Sequence, residues 1–230
     1  MIRLVNAEIL KLRRRTGMLV LASLLTVAAV ALYYVIVAAT GKTAQFDDVV
    51  AVLALSGSVV GVIVGATAGA ADIEAGVFRD LVATGRSRLA LFFARVPGAW
   101  AIVLPALTAA LALAAVLSTP SASDIGLGAA QVLTAGALTA AVCVGLAALT
   151  GSRGTIIGLA LAFQLGVSPL LAQVDALGDA RFGIPQVAIA KIGGSAGDLA
   201  FTVPVAIAIV LAWAAAALAA GAWRSNTQEI

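Results

Sequence analysis

The chain has 230 residues, of which 62% are hydrophobic and 11% charged, with a mean hydropathy of +1.11 and a formal net charge of +3. Soluble domains carry about 25% charged residues, so this composition excludes a water-soluble globular protein. At about 20 apolar residues per spanning helix, the chain holds about six spans joined by short loops and leaves no room for a soluble catalytic domain.

Residues 1–16 form the first unit. Ile2, Val5, Ile9 and Leu12 follow one another at steps of three, four and three, the spacing of a single helical face. Arg3, Lys11, Arg13, Arg14 and Arg15 occupy much of the rest. A basic amphipathic helix of this kind lies in the membrane interface with its cations toward anionic headgroups. The regular apolar stripe favours it over a plain cationic anchor. The apolar run that follows is longer than a secretory h-region, so it reads as a retained helix rather than a signal peptide.

Candidate spans cover 17–39, 48–71, 96–117, 127–150, 154–172 and 199–223, each of spanning length. Gly57, Gly61, Gly65 and Gly69 place a glycine at every fourth position of the second span. Small residues drive helix packing in lipid, where no hydrophobic effect operates between helices. The row serves either packing within one subunit or a moving or dimeric interface. Pro97, Pro105 and Pro204 fall inside spans, where they are expected to bend helices.

Between the second and third spans, 72–95 carries Asp72, Glu74, Arg79, Asp80, Arg86, Arg88 and Arg95. Each Asp or Arg at mid-membrane costs about 2.5–3.5 kcal/mol, so the segment is expected outside the bilayer. All 25 charged side chains are expected in loops or at helix ends. The outer segment 173–198 is too polar to span. Its Phe182, Ile184, Pro185, Val187, Ile189 and Ile192 point to short helices that dip into the outer leaflet or cap the bundle, in preference to a disordered loop.

Orientation follows from the basic residues. With the N-terminus inside, the inner segments hold Arg3, Lys11, Arg13, Arg14, Arg15, Arg79, Arg86, Arg88, Arg95, Arg153 and Arg224, eleven in all. The outer ones hold three, Lys42, Arg181 and Lys191. The positive-inside rule therefore sets both termini and 72–95 in the cytoplasm. The outer acids Asp47, Asp48, Asp124, Asp175, Asp179 and Asp198 agree with it. Arg outnumbers Lys and Ala dominates the apolar stretches, a bias of GC-rich bacterial genomes, so the expected location is a bacterial cytoplasmic membrane.

Catalytic chemistry is missing. His is absent and Cys143 is the single cysteine, which removes the commonest general base and metal ligand. There is no Gly-x-Ser-x-Gly, no His-Glu-x-x-His and no P-loop; Gly85-Arg86-Ser87 lacks the upstream Gly and the Lys. The polar residues within spans, among them Gln131 and Gln164, are neutral. Coupled carriers keep ionisable groups in the membrane, so secondary transport is disfavoured. No catalytic, cofactor-binding or metal-ligating residue is expected.

The run Glu74-Ala-Gly-Val-Phe-Arg-Asp-Leu-Val-Ala-Thr-Gly-Arg-Ser-Arg88 resembles the first cytoplasmic loop of type-2 ABC transporter permeases. Glu74, Gly76, Ser87 and Arg88 match the family pattern, whereas Val77 stands where Thr is usual. The whole chain is similar in architecture. The resemblance implies an all-α polytopic membrane subunit of an ABC exporter, with six transmembrane helices, an N-terminal interfacial helix and a cytoplasmic coupling helix in 72–95. It implies pairing as a homodimer or with a related permease, and docking on a separate ATPase subunit that binds ATP and Mg. Glu74, Arg79, Arg86 and Arg88 would then transmit motion, with Phe78 and Leu81 as the apolar anchor. The alternatives are a merely solvated loop on a non-transporting scaffold or immunity component, and a secondary carrier.

Overall fold

The computed structural model describes residues 1–196 and 199–227, apart from the side chains of Arg79 and Asp175. Asp198, assigned above to the outer face, lies outside the described residues. In chain order the helices are α1 (Ile2–Arg13), α2 (Thr16–Thr40), α3 (Phe46–Glu74), α4 (Phe78–Ala83), α5 (Arg88–Ser118), α6 (Ala122–Thr150), α7 (Arg153–Ala162), α8 (Ser168–Ala172), α9 (Pro185–Ile192) and α10 (Val203–Thr227). A π turn, Phe163–Val167, joins α7 to α8, and a 3-10 segment, Asp175–Gly183, precedes α9. No strand occurs among the described residues. Six helices are long and apolar enough to cross a membrane: α2, α3, α5, α6, the run from α7 through α8, and α10. Six such helices suggest a multi-pass membrane protein.

The bundle is built around α3 and α6. In their apolar windows 67% and 61% of residues are buried, against 17% for α2 and 11% for α10. The glycine row explains why. A Cβ on Gly61 would lie 2.9 Å from the Gly136 carbonyl oxygen, and one on Gly65 would overlap the carbonyl of Ala140. Gly69 meets Val144 in the same way, while Gly57 accepts the side chain of Leu107 from α5. The row is thus occupied by helices of its own subunit and is not free to form a dimer interface. The opposite face of α6 repeats the device, with Gly145 against Ala217 and Gly221 of α10. Close backbone approach through small residues is what holds helices together in lipid.

Several boundaries differ from expectation by a turn or more, among them the start of α6 at Ala122 where 127 was predicted. Helix α5 starts at Arg88, two turns before the predicted position 96, and the Ser87 side chain accepts from the Ala90 N–H at its N-terminus. Helix α10 starts one turn later than predicted, at Val203. Pro204 is therefore its second residue rather than an interior one, where a missing N–H breaks no helical bond. Pro97 and Pro105 do lie inside α5.

Residues 175–192 form short helices. Helix α9 buries Ala188 and Ile189 in a cluster with Leu138 of α6 and Ala206 and Val210 of α10. Phe182 stacks on Phe201 at 4.8 Å, and the Trp213 indole donates to the Gly183 carbonyl at 2.9 Å.

Candidate functional site: the junction of α1, α3, α4 and α5

Helix α4 is six residues long and sits between two glycines with positive φ, Gly76 (69°) and Gly85 (81°). Only glycine takes that backbone region without cost, and these two points let the chain leave α3, form one short helix and enter α5. Neither glycine has an atom within 4 Å of where a Cβ would stand, so their role is conformational rather than steric.

Beneath α4 lies a group of four charged side chains. Asp72, in the last turn of α3, is buried. Lys11 of α1 donates to both of its oxygens, at 3.0 and 2.8 Å, and also pairs with Glu8 at 2.6 Å. Arg95 of α5 reaches Asp72 Oδ2 with one terminal nitrogen at 3.4 Å and donates to the Gly69 carbonyl with the other at 2.7 Å. Its guanidinium lies over the Phe78 ring, 5.3 Å from the centroid. Arg95 is 1% exposed and is the largest fully buried side chain among the described residues. Two acids and two bases balance, so the group is formally neutral; unpaired, each charge would cost several kcal/mol to bury.

Helix α1 reaches this group because Gly98 of α5 has no side chain: a Cβ there would stand 3.0 Å from the Glu8 Cβ and 3.6 Å from Leu12. The face of α1 turned to α5 centres on Glu8 and Leu12, both buried, while Ile2 is 78% exposed. The apolar stripe read from the sequence is rotated accordingly.

Arg95 corrects the expectation that every charge lies in a loop or at a helix end. It stands two turns inside α5, where its terminal nitrogens meet the Gly69 carbonyl and Asp72 and its Nε is buried without a hydrogen-bond partner. The segment 72–95 is likewise not one exposed loop: 72–74 complete α3 and 88–95 open α5.

The residues expected to couple to a partner divide between surface and interior. Phe78 is 7% exposed and packs inside this chain, under Arg95. Glu74 receives the Arg153 backbone N–H at 2.7 Å and pairs with the Arg153 side chain at 3.0 Å. It therefore braces α3 against the N-terminus of α7, where a carboxylate satisfies a free helical N–H. Arg88 donates to the Asn226 carbonyl at 3.2 Å, linking the start of α5 to the end of α10. Arg86 is exposed and Leu81 half-buried. The exposed large apolar side chains in the segment are Val77 at 42%, Leu89 at 39% and Phe93 at 42%. The Arg79 side chain lies outside the described residues.

Sequence reasoning missed Glu8, Lys11, Asp72 and Arg95 as a unit. A signal was present: Glu8 interrupts the apolar stripe of α1, three residues after Val5 and four before Leu12. Among the described residues no group of three His, Cys, Asp or Glu could hold a metal ion. Through Phe78 and Arg95, α4 is in contact with α5, and through Asp72 and Lys11 with α3 and α1.

No family model matches the chain, and no curated protein matches it. The likeness to type-2 ABC permeases rests on residues 74–88 and on the order of the elements.

Proposed function

We propose that the chain is the membrane subunit of an ATP-driven ABC exporter, paired with a second copy or a related permease and driven by a separate ATPase that docks at α4. The observation that carries this reading is the seating of α4 on the Arg95 group, which ties one short helix to the last turns of α1 and α3 and to α5 two turns from its start. A soluble motor can move membrane helices only through a stiff element of this kind. ATP and Mg are held by the ATPase; this chain contributes the pathway and the lever. In this reading the α4 end of the bundle faces the cytoplasm of a bacterial cell.

The contact surface is then Val77, Leu81 and Arg86, with Phe78 as the internal anchor of the lever rather than a knob in the ATPase groove. Glu74 and Arg88 act within the chain, spreading the movement to α7 and α10. The test is co-purification with a P-loop ATPase subunit. Loss of Leu81 and Arg86 together, both to Ala, is expected to weaken association about tenfold, as truncating central contacts does. Glu74→Lys is expected to leave association intact and uncouple hydrolysis from export. Absence of an ATPase partner, or full association and export by the Leu81→Ala, Arg86→Ala variant, overturns the reading.

A further inference from the structure

A groove of about 260 Å³ opens between α2 and α5 on the side where α1 ends. Leu19 and Ala22 of α2 and Ala101, Pro105 and Ala109 of α5 form its walls. Most of these side chains are small, and they leave the space between the two helices unfilled. One charged residue lines the groove: Arg13, the last residue of α1, at the end where α2 begins. Arg14 and Arg15 follow in the corner between the two helices, and all three arginines are exposed. None of the three forms an ion pair among the described residues, and Glu8 of α1 and Asp72 of α3 are already held by Lys11 and Arg95. Helix α2 opens in this corner without a side-chain cap, so its first N–H groups and the positive end of its dipole add to the field of the arginines.

Geometry and charge together name the occupant. On α5 the lining runs from Ala101 to Ala109, about 12 Å at 1.5 Å per residue. The hydrocarbon of one leaflet is half of a core about 30 Å thick, so the groove takes most of the depth of one acyl chain. Its cationic end lies where α1 turns into α2, and its apolar end runs inward between the spans. That is the polarity of a lipid in the leaflet that α1 borders. Three arginines without acidic partners favour a net negative headgroup over a zwitterionic one, whose own cation would meet them. A second copy of this chain fits poorly, since two-fold pairing through the groove would bring the same arginines together. We propose that this groove binds an anionic phospholipid of the phosphatidylglycerol type, with its phosphate at Arg13 and the start of α2 and one acyl chain between α2 and α5. The site is complete within one subunit and needs no ATPase, so its failure and that of the exporter reading are separable.

The experiment uses the purified full-length chain in phosphatidylcholine nanodiscs without an ATPase. The probe is a phosphatidylglycerol with a photoreactive group on its acyl chain. Labelled peptides are expected to cover 19–23 and 101–109. Excess unlabelled phosphatidylglycerol is expected to remove the label, and added phosphatidylcholine is not. Ser23→Trp and Ala109→Trp fill the groove from different helices at exposed positions, and each is expected to lower labelling about tenfold, equivalent to about 1.4 kcal/mol. Arg13→Gln is expected to lower it about fivefold, the worth of about 1 kcal/mol per cation near an anionic surface, and Arg13→Lys to keep most of it. Two controls should label as the parent does: Arg224→Gln, which removes a cation from the end of α10, and Val116→Trp, at a 74% exposed position of α5. Label spread equally over α2, α5 and α10 overturns the site, as does undiminished labelling of Ala109→Trp. Equal competition by phosphatidylcholine, or equal losses in Arg13→Gln and Arg224→Gln, overturns the headgroup assignment. A crosslink joining two copies through the groove overturns the lipid as occupant.

Discussion

Arg95 and Asp72 show how a charge pair is kept inside a bundle of apolar helices. Arg95 has a carboxylate, a carbonyl and an aromatic face as partners, and Asp72 has two cations. Removing one member leaves the other buried without compensation, which costs about 3–5 kcal/mol. Asp72→Ala is expected to lower unfolding stability by that amount, since it strands Arg95. Lys11 is 30% exposed on its side chain, and water screens such a pair, so Lys11→Ala should cost about 1 kcal/mol or less. The double variant Asp72→Leu, Arg95→Leu removes both charges and is expected to lose less than the sum of the single losses. Denaturant unfolding in detergent micelles measures these three variants and the single variants Asp72→Leu and Arg95→Leu. Additive losses would show that the two side chains do not act as a pair.

At the scale of the element, the contact between α3 and α6 depends on backbone proximity. A side chain at Gly65 meets the Ala140 backbone, which cannot turn aside. Gly65→Leu is expected to separate the helices and cost at least about 1–3 kcal/mol, the usual price of overpacking. Gly158 in α7 has nothing within 4 Å, and Gly158→Ala should be neutral or stabilise by about 0.5–1 kcal/mol through helix propensity. A thermal unfolding series on both variants decides it, and equal melting temperatures would refute the packing role. The four-residue spacing of the glycines was legible in the sequence because one helical face repeats at that interval. Their partner was not, because a neighbouring span and a second subunit offer the same small-residue surface. The start of α5 was hidden for a different reason. Arg88 and Arg95 counted as residues to be kept in water, and only the fold supplies the Asn226 carbonyl and the Asp72 carboxylate that let them begin a helix. The seating of Phe78 was equally out of reach, since it depends on an arginine seventeen residues away.

At the scale of the whole molecule, contacts distant in sequence sort the loops into two ends. Lys11 with Asp72, Glu74 with Arg153 and Arg88 with Asn226 gather α1, α4, the α6–α7 turn and the end of α10 at one end. The other end holds the Tyr33 to Asp48 bond at 3.1 Å and the Ser195 to Gln131 bond at 3.0 Å. Arg95, being buried, leaves the basic count of the first end, which falls from eleven to ten against three for the second. The bias survives the correction, and on the positive-inside rule we propose that the first end faces the cytoplasm. Single cysteines read the orientation directly, because the native Cys143 is buried. Placed at the exposed positions Gln45, Ser121 and Ala180, they are expected to label with a membrane-impermeant maleimide in intact cells. At Ser87 and Thr227, also exposed, they are expected to label only after the membrane is opened. Thr227 serves better than the neighbouring Ser225, which is 2% exposed and would resist reagent from either side. Labelling of position 87 in intact cells would turn the bundle over. Helix α4 would then face away from any source of ATP, and the exporter reading would fall with the orientation.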